Sequence, residues 1–329
     1  MFSQSRLLSL NPTFSSTSSL SSDYSSFPSV RLKFPSTRVM ASGSKLTNGG
    51  HSLPIGITEP QIKRFTDVGN KVADAAGQVI RKYFRKKFDI FDKDDSSPVT
   101  IADRSAEEAM VSIILEHFPS HAIYGEEKGW CKESSADYVW VLDPIDGTKS
   151  FITGKPLFGT LIALLLNGKP ILGIIDQPVL RERWIGISGK KTMLNGQEIS
   201  SRTCANLSHA YLYTTSPHLF GGDAEKAFIR VRNKVKVPLY GCDCYAYALL
   251  ASGFVDLVVE SGLKPYDFLA LIPVIEGAGG VITDWKGGEL HWEASPTSSA
   301  RKSHVPGFNV LAAGDKRIHQ EALDSLQWR

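Results

Sequence analysis

The chain has 329 residues, 42% of them hydrophobic and 22% charged, with a formal charge of +3. That length holds one large domain or two ordinary ones, and that composition excludes a disordered, collagen-like or coiled-coil chain. No stretch approaches 18 consecutive apolar residues, so a membrane-spanning helix is excluded as well.

The charge is unevenly placed. Residues 1–43 hold 14 serines, the basic residues Arg6, Arg31, Lys33 and Arg38, and one acid, Asp23. The remaining 286 residues carry 33 basic and 33 acidic groups and are neutral. A nucleic-acid binder usually keeps a basic excess in its folded part, so no nucleic acid is expected as a partner. The leader is Ser-rich and acid-poor, too polar to bury a core, and has the composition of an organelle transit peptide. Its serine bias predicts a plastid, with cleavage near Val39-Met40-Ala41. A disordered tail with no targeting role would share that composition.

The next signals alternate between helix and strand. Residues 60–87 place Ile62, Phe65, Val68, Val72, Ala75, Val79 and Ile80 at helical spacing, and residues 103–118 repeat the pattern with Ala106, Met110, Ile113 and Ile114. Strands are predicted at 138–142, 161–166, 171–175, 183–187, 255–260, 281–283 and 309–313. The second and third of these flank Asn167-Gly168-Lys169-Pro170, a hairpin signal. Residues 265–278 read as one helix stopped by Gly279-Gly280. The chain is thus mixed α and β with a substantial antiparallel part, and a weakly marked boundary falls near residue 200. Cys131, Cys204, Cys242 and Cys244 lack the C-x₂-C spacing of a zinc site and read as reduced, mostly buried thiols.

The chemistry concentrates in Trp140-Val-Leu-Asp143-Pro144-Ile145-Asp146-Gly147-Thr148. An apolar strand runs into what reads as a tight acidic turn, with Asp143 and Asp146 three residues apart. Mg²⁺ takes oxygen ligands, typically one or two carboxylates plus substrate phosphate, and the Ile145 carbonyl adds a third oxygen. Amides at Gly147 and Thr148 would face an anion if a helix begins there. An acidic β-turn with an Asp cap would look the same. Glu126-Glu127 follow another strand end, and Asp267 sits in a helical first turn, where it can equally be a cap. Together Glu126, Asp143, Asp146 and Asp267 form an all-oxygen set without His or Cys, which selects Mg²⁺-type ions over zinc.

Gly125-Glu126-Glu127, Asp143-Pro144-Ile145-Asp146-Gly147-Thr148, and Tyr266-Asp267 with Gly277-Ala278-Gly279-Gly280 resemble the three signature motifs of the inositol monophosphatase superfamily. Val99-Thr100-Ile101-Ala102-Asp103 is similar to its V-T-x-x-D element. The resemblance spans about residues 60–325. It implies a layered αβαβα fold, usually homodimeric, and two to three Mg²⁺ held by Glu126, Asp143, the Ile145 carbonyl, Asp146 and Asp267. It further implies that Asp103 and Thr148, with Glu126, activate water, and that Gly147 and Thr148 hold phosphate. Residues 44–200 would carry most of the metal ligands. Residues 201–329 would carry the substrate side and one ligand. Tyr266 departs from the family's usual Trp but keeps an aromatic.

A second departure is Lys149-Ser150-Phe151 in place of T-N-F. With Gly154–Thr160, Ile175-Asp176-Gln177-Pro178, Thr214-Thr215-Ser216-Pro217 and Gly241-Cys242-Asp243-Cys244-Tyr245, it resembles one branch, the histidinol-phosphate phosphatases. That implies a phosphate ester carrying an imidazole and an ammonium. Such a substrate needs acceptors, and Asp243 and Glu260 are the candidates, one for the imidazole and the other for the amine or hydroxyl end. A cap at Asp243 and an exposed strand end at Glu260 are the plainer readings of the residues alone. Lys149 either neutralises phosphate or is a solvated lysine.

Other phosphatase chemistries lack their marks. No cysteine begins C-x₅-R, and Asp92-Lys93-Asp94-Asp95-Ser96 lies among lysines, as a solvated loop does. Gly189-Lys190-Lys191-Thr192 lacks the leading glycine of a P-loop.

Overall fold

The computed structural model describes residues 53, 56–87, 90–92, 98–132, 137–293 and 307–328. The leader at 1–43, its expected cleavage point and residues 93–97 lie outside the described residues.

In chain order these residues form α1 (Glu59–Tyr83), β1 (Ile90–Asp92), β2 (Pro98–Thr100), α2 (Ile101–His117), β3 (Ala122–Gly125), β4 (Gly129–Lys132), β5 (Tyr138–Asp146) and α3 (Thr148–Ile152). Then follow β6 (Gly159–Leu166), β7 (Lys169–Gln177), β8 (Glu182–Ile187), β9 (Met193–Leu194), β10 (Gln197–Glu198), β11 (Tyr211–Thr214), α4 (Gly222–Arg232) and β12 (Val237–Tyr240). The last elements are α5 (Asp243–Ala251), β13 (Leu257–Leu263), α6 (Pro265–Phe268), α7 (Leu271–Gly277), β14 (Val281–Asp284), β15 (Phe308–Ala313) and α8 (Lys316–Leu326).

Period-2 alternation sorts the strand residues into layers. In β5, Trp140 and Leu142 pack with Val72, Ala76, Met110 and Ile114 of α1 and α2. Their neighbours Val139 and Val141 point the other way, into a core shared with α5, α6 and α7. Val258, Val310 and Ala312 close that core from β13 and β15. The opposite faces of the same strands, through Leu257, Val259 and Leu311, pack on Phe228 of α4 and on Ile318 and Ala322 of α8. The result is an αβαβα stack. Its first sheet runs β10-β9-β8-β7-β6-β5-β3-β4, and its second runs β12-β11-β13-β15-β14. No helix among the described residues is long and apolar enough to cross a membrane.

Local sequence explains the main turns. β6 and β7 close over Asn167 (φ 50°) and Gly168 (φ 78°), with Leu166 paired to Lys169. Positive φ at both positions is the I′ hairpin signature of Asn-Gly. Gly279 (φ 89°) follows the end of α7, as expected for a helix stop.

Two expectations are corrected. The 265–278 helix is broken at Leu269-Ala270 into α6 and α7. Pro273 has no N–H to give the carbonyl four residues back, at Leu269, and its ring would clash there. The acidic segment after residue 142 is a continuation of β5, where a tight turn was expected. β5 pairs with β6 at Asp143↔Leu161 and again at Asp146↔Gly159. Three steps on β5 thus oppose two on β6, a bulge of one residue. Pro144, which cannot donate to a ladder, falls inside it.

Candidate active site

The bulge settles how Asp143 and Asp146 converge. In a regular strand, residues three apart face opposite sides of the sheet. The extra residue cancels that flip. Carboxylate oxygens of Asp143, Asp146 and Asp267 all lie within 4.8 Å of one another. Ile145 keeps its side chain in the α1/α2 core, while its carbonyl oxygen lies 3.1 Å from the Thr148 hydroxyl.

Asp267 enters from α6. Its Oδ2 accepts the Lys264 N–H at 2.7 Å, so it caps the helix and joins the cluster at once. Asp146 is held across the seam, where its Oδ2 accepts the Cys244 N–H at 2.6 Å in the first turn of α5. Burial and the other acids push the Asp143, Asp146 and Asp267 carboxyls well above the usual carboxylate range. Glu126 follows β3 and adds to the repulsion felt by Asp143 and Asp267.

Asp103 stands in the first turn of α2, and only 1% of its surface is exposed. Its Oδ2 accepts the Thr100 N–H and hydroxyl at 2.9 and 2.5 Å. Oδ1 faces the Thr148 hydroxyl at 3.4 Å. Burial raises its carboxyl to about 6. Gly147 takes φ 92° at the start of α3. A Cβ there would sit 2.9 Å from Asp243 Oδ2, so glycine is required by both the backbone and the space. The Gly147 and Thr148 amides open the first turn of α3, where helical N–H groups have no intrahelical acceptor.

Beyond the acids lies a cavity of about 160 Å³, lined by Asp146, Asp243, Glu260, Thr215, Leu219 and Phe220 among others. Glu260 is 5% exposed and so is no surface strand end. Its Oε1 accepts the Thr215 N–H at 2.9 Å and the Thr215 hydroxyl at 2.5 Å, and the Tyr247 hydroxyl donates to Oε2 at 3.1 Å. Burial pushes its carboxyl up to about 7. Asp243 is the first residue of α5, and the cap position before it is Cys242. Burial raises the Asp243 carboxyl to about 6, against the pull of Lys149, Ser150, Thr215 and Lys155. Lys149 is exposed, and its effect in the structure falls on Asp243. Tyr266 stacks on Tyr124, ring centroids 6.2 Å apart, so the aromatic departure is absorbed by packing. The four cysteines are free, and all but Cys131 are buried.

The Thr214–Pro217 segment does not by itself mark Thr215 as a contact of Glu260, and no motif marks Tyr247 or Glu107. Glu107 lies one helical turn beyond Asp103, which is the only local sign of it.

The donor set can be tested against a metal. Asp143 Oδ1 is buried and has no hydrogen-bond partner among the described residues. An orphaned carboxylate oxygen amid three other acids is what a bound cation would satisfy. Oxygen-only donors suit Mg²⁺, and the residues fit.

Residues 61–327 match the inositol monophosphatase family. The chain belongs to that family of phosphomonoester phosphatases. It is 67% identical over 329 residues to the chloroplastic bifunctional phosphatase IMPL2 of Arabidopsis thaliana, covering 98% of this chain and 94% of that one. It is 34% identical over 245 residues to the histidinol-phosphatase of Chlorobaculum parvum, covering 74% and 93%. Among solved structures, an inositol monophosphatase from Zymomonas mobilis superposes with a TM-score of 0.71 at 43% identity, covering 83% of this chain and all of that one. Enzymes of the family use Mg²⁺ and act on small phosphate esters.

Proposed function

We propose that the protein is a Mg²⁺-dependent histidinol-phosphate phosphatase of the plastid. The observation that carries the substrate is the pair of extra acids. Asp243 and Glu260 line the cavity beside the metal-type cluster, and neither belongs to that cluster. An inositol ring needs only polar groups for its hydroxyls. An ammonium or imidazolium needs carboxylates, which are worth most where water is excluded. The wall at Leu219 and Phe220 offers an apolar face to an imidazole plane. The histidinol-phosphatase relative supports the same substrate.

Glu126, Asp143, the Ile145 carbonyl, Asp146 and Asp267 would hold the ions. Bound there, Mg²⁺ supplies Lewis-acid polarisation of the phosphate and lowers the pKa of a coordinated water. Asp103 has one oxygen committed to Thr100 and the other, Oδ1, turned to Thr148, so Oδ1 is the site that takes the water's proton. The Thr148 hydroxyl orients that water. The Gly147 and Thr148 amides hold phosphate oxygens, and Lys149 stands at the rim as a neutralising charge. A protonated Glu260 would waste the cavity's attraction for a cation. A cationic ligand lowers its pKa and keeps it ionised.

The leader at 1–43 and the chloroplastic relative support plastid import. The family resemblance supports a homodimer. Residues 44–200 supply most of the ion-binding groups and 201–329 supply Asp267 and the substrate side. An inositol monophosphate is the second reading, favoured by the likeness to the Zymomonas enzyme.

Phosphate release from histidinol phosphate and inositol 1-phosphate, each with Mg²⁺ and with EDTA, tests the assignment. Release from histidinol phosphate that EDTA abolishes, with kcat/KM about 100-fold above that for the inositol ester, is expected from a buried charge pair worth a few kcal/mol. Preference for the inositol ester would overturn the substrate and leave the ion site standing.

A further inference from the structure

Glu107 has no part in the chemistry above, yet its side chain is fully buried at 0% exposure. A buried carboxylate is costly unless hydrogen-bonded. Here Oε2 accepts the Glu127 N–H and Oε1 the Lys128 N–H, each at 2.8 Å. The amide just before them, Glu126 N–H, donates to the Leu142 carbonyl at 3.0 Å. Three consecutive amides of the β3–β4 turn are therefore anchored, two of them by one carboxylate. The carboxylate also lies against Gly125, where an added Cβ would be 2.4 Å from Oε2. On the outside of the same turn, Glu108 pairs with the Lys128 ammonium at 2.8 Å.

We infer that Glu107 is a positioning residue that fixes Glu126 toward Asp143 and Asp267 by clamping the amides of Glu127 and Lys128. Two side-by-side acceptors are needed for two consecutive N–H groups, and among side chains only a carboxylate offers them. Gln keeps the shape but turns an NH₂ toward an N–H. Asp103 and Glu107 are four apart on α2, so they share one helix face. One rigid face thereby sets both the proton acceptor and the Glu126 turn. The inference rests on Glu126 being a Mg²⁺ ligand.

The test is Mg²⁺ binding to the full chain by titration calorimetry, without substrate. Loss of a group that orients a ligand typically weakens a metal site 10- to 100-fold. Glu107→Gln is expected to weaken Mg²⁺ at least about tenfold on that basis, and Glu108→Gln, which removes only an exposed pair, less than about twofold. The Mg²⁺ concentration for half-maximal phosphate release should move with the calorimetric constant and further than kcat does. Wild-type affinity in Glu107→Gln overturns the clamp, whatever happens to Tm. Absence of Mg²⁺ binding in the wild type overturns instead the reading of Glu126 beneath it. Should Glu107→Gln fail to fold, amide exchange in the wild type decides. The Glu127 and Lys128 amides should exchange far more slowly than Gly196 in the β9–β10 turn, and equal rates would overturn the clamp.

Discussion

The first sheet and the second contribute to one site by different physics. In β5 of the first sheet, a backbone irregularity gathers Asp143 and Asp146 on one side. In the second half, side chains gather around Glu260, held by Thr215 and Tyr247. A bulge is a property of the main chain and survives most side-chain substitutions. A hydroxyl network is rebuilt by changing one residue. The contrast teaches that the proposed ion site is written into the fold and the proposed substrate preference into a few replaceable contacts, which agrees with function residing in sites grafted on folds.

Substitutions in the two halves should therefore fail differently. Asp103→Asn keeps shape and removes the proposed proton acceptor. Turnover should drop by about 10²–10⁴-fold on every ester, while Mg²⁺ binding by calorimetry stays within a few-fold. Full activity would remove Asp103 from the mechanism. Glu260→Gln should act selectively. Its kcat/KM for histidinol phosphate should fall about 30- to 100-fold, the loss of one buried charge partner, and that for inositol 1-phosphate should barely move. An equal fall on both would erase the division between the halves.

The smallest effect is on stability and comes from both halves together. Asp103 and Asp243 are raised to about 6 and Glu260 to about 7, from ordinary carboxylate values near 4. A raised folded-state pKa means that the folded form binds its proton more tightly than the unfolded chain. The stability this brings is complete below the ordinary carboxylate range and is lost as pH rises through 6 to 7. The Mg²⁺-free protein should thus show a higher Tm at pH 5 than at pH 8 by scanning calorimetry, and Mg²⁺ should narrow the gap. A higher Tm at pH 8 would contradict the electrostatics of the cluster.

What the sequence revealed follows the same division. Helical periodicity located α1 and α2, and Asn167-Gly168 located the β6–β7 hairpin, because those signals are local. The all-oxygen acid set pointed to a hard cation for the same reason. The bulge at Pro144 was invisible, since one extra residue in a strand leaves the apolar pattern before it untouched. The break before α7 has a local signal in Pro273, inside an otherwise helical pattern. Asp243 and Glu260 came into view only through the family resemblance. The setting of Glu260 depends on Thr215, 45 residues away in sequence, and on Tyr247, 13 away. Glu107 was unreadable because the amides it holds lie 20 and 21 residues downstream.

Beneath α7 the first sheet carries glycine at 173 and 186. A Cβ at Gly173 would lie 2.0 Å from the Ala270 carbonyl oxygen, and one at Gly186 would lie 2.3 Å from the Pro273 main chain. Backbone rests there almost on backbone, with no side chain between to be trimmed or enlarged. The segment that carries Asp267 cannot settle deeper, so its distance from β5 has a floor set by the main chain itself. Such a spacer works like a gauge block. Divergence can refit the walls of the neighbouring cavity to a new alcohol without re-measuring the gap between the acids.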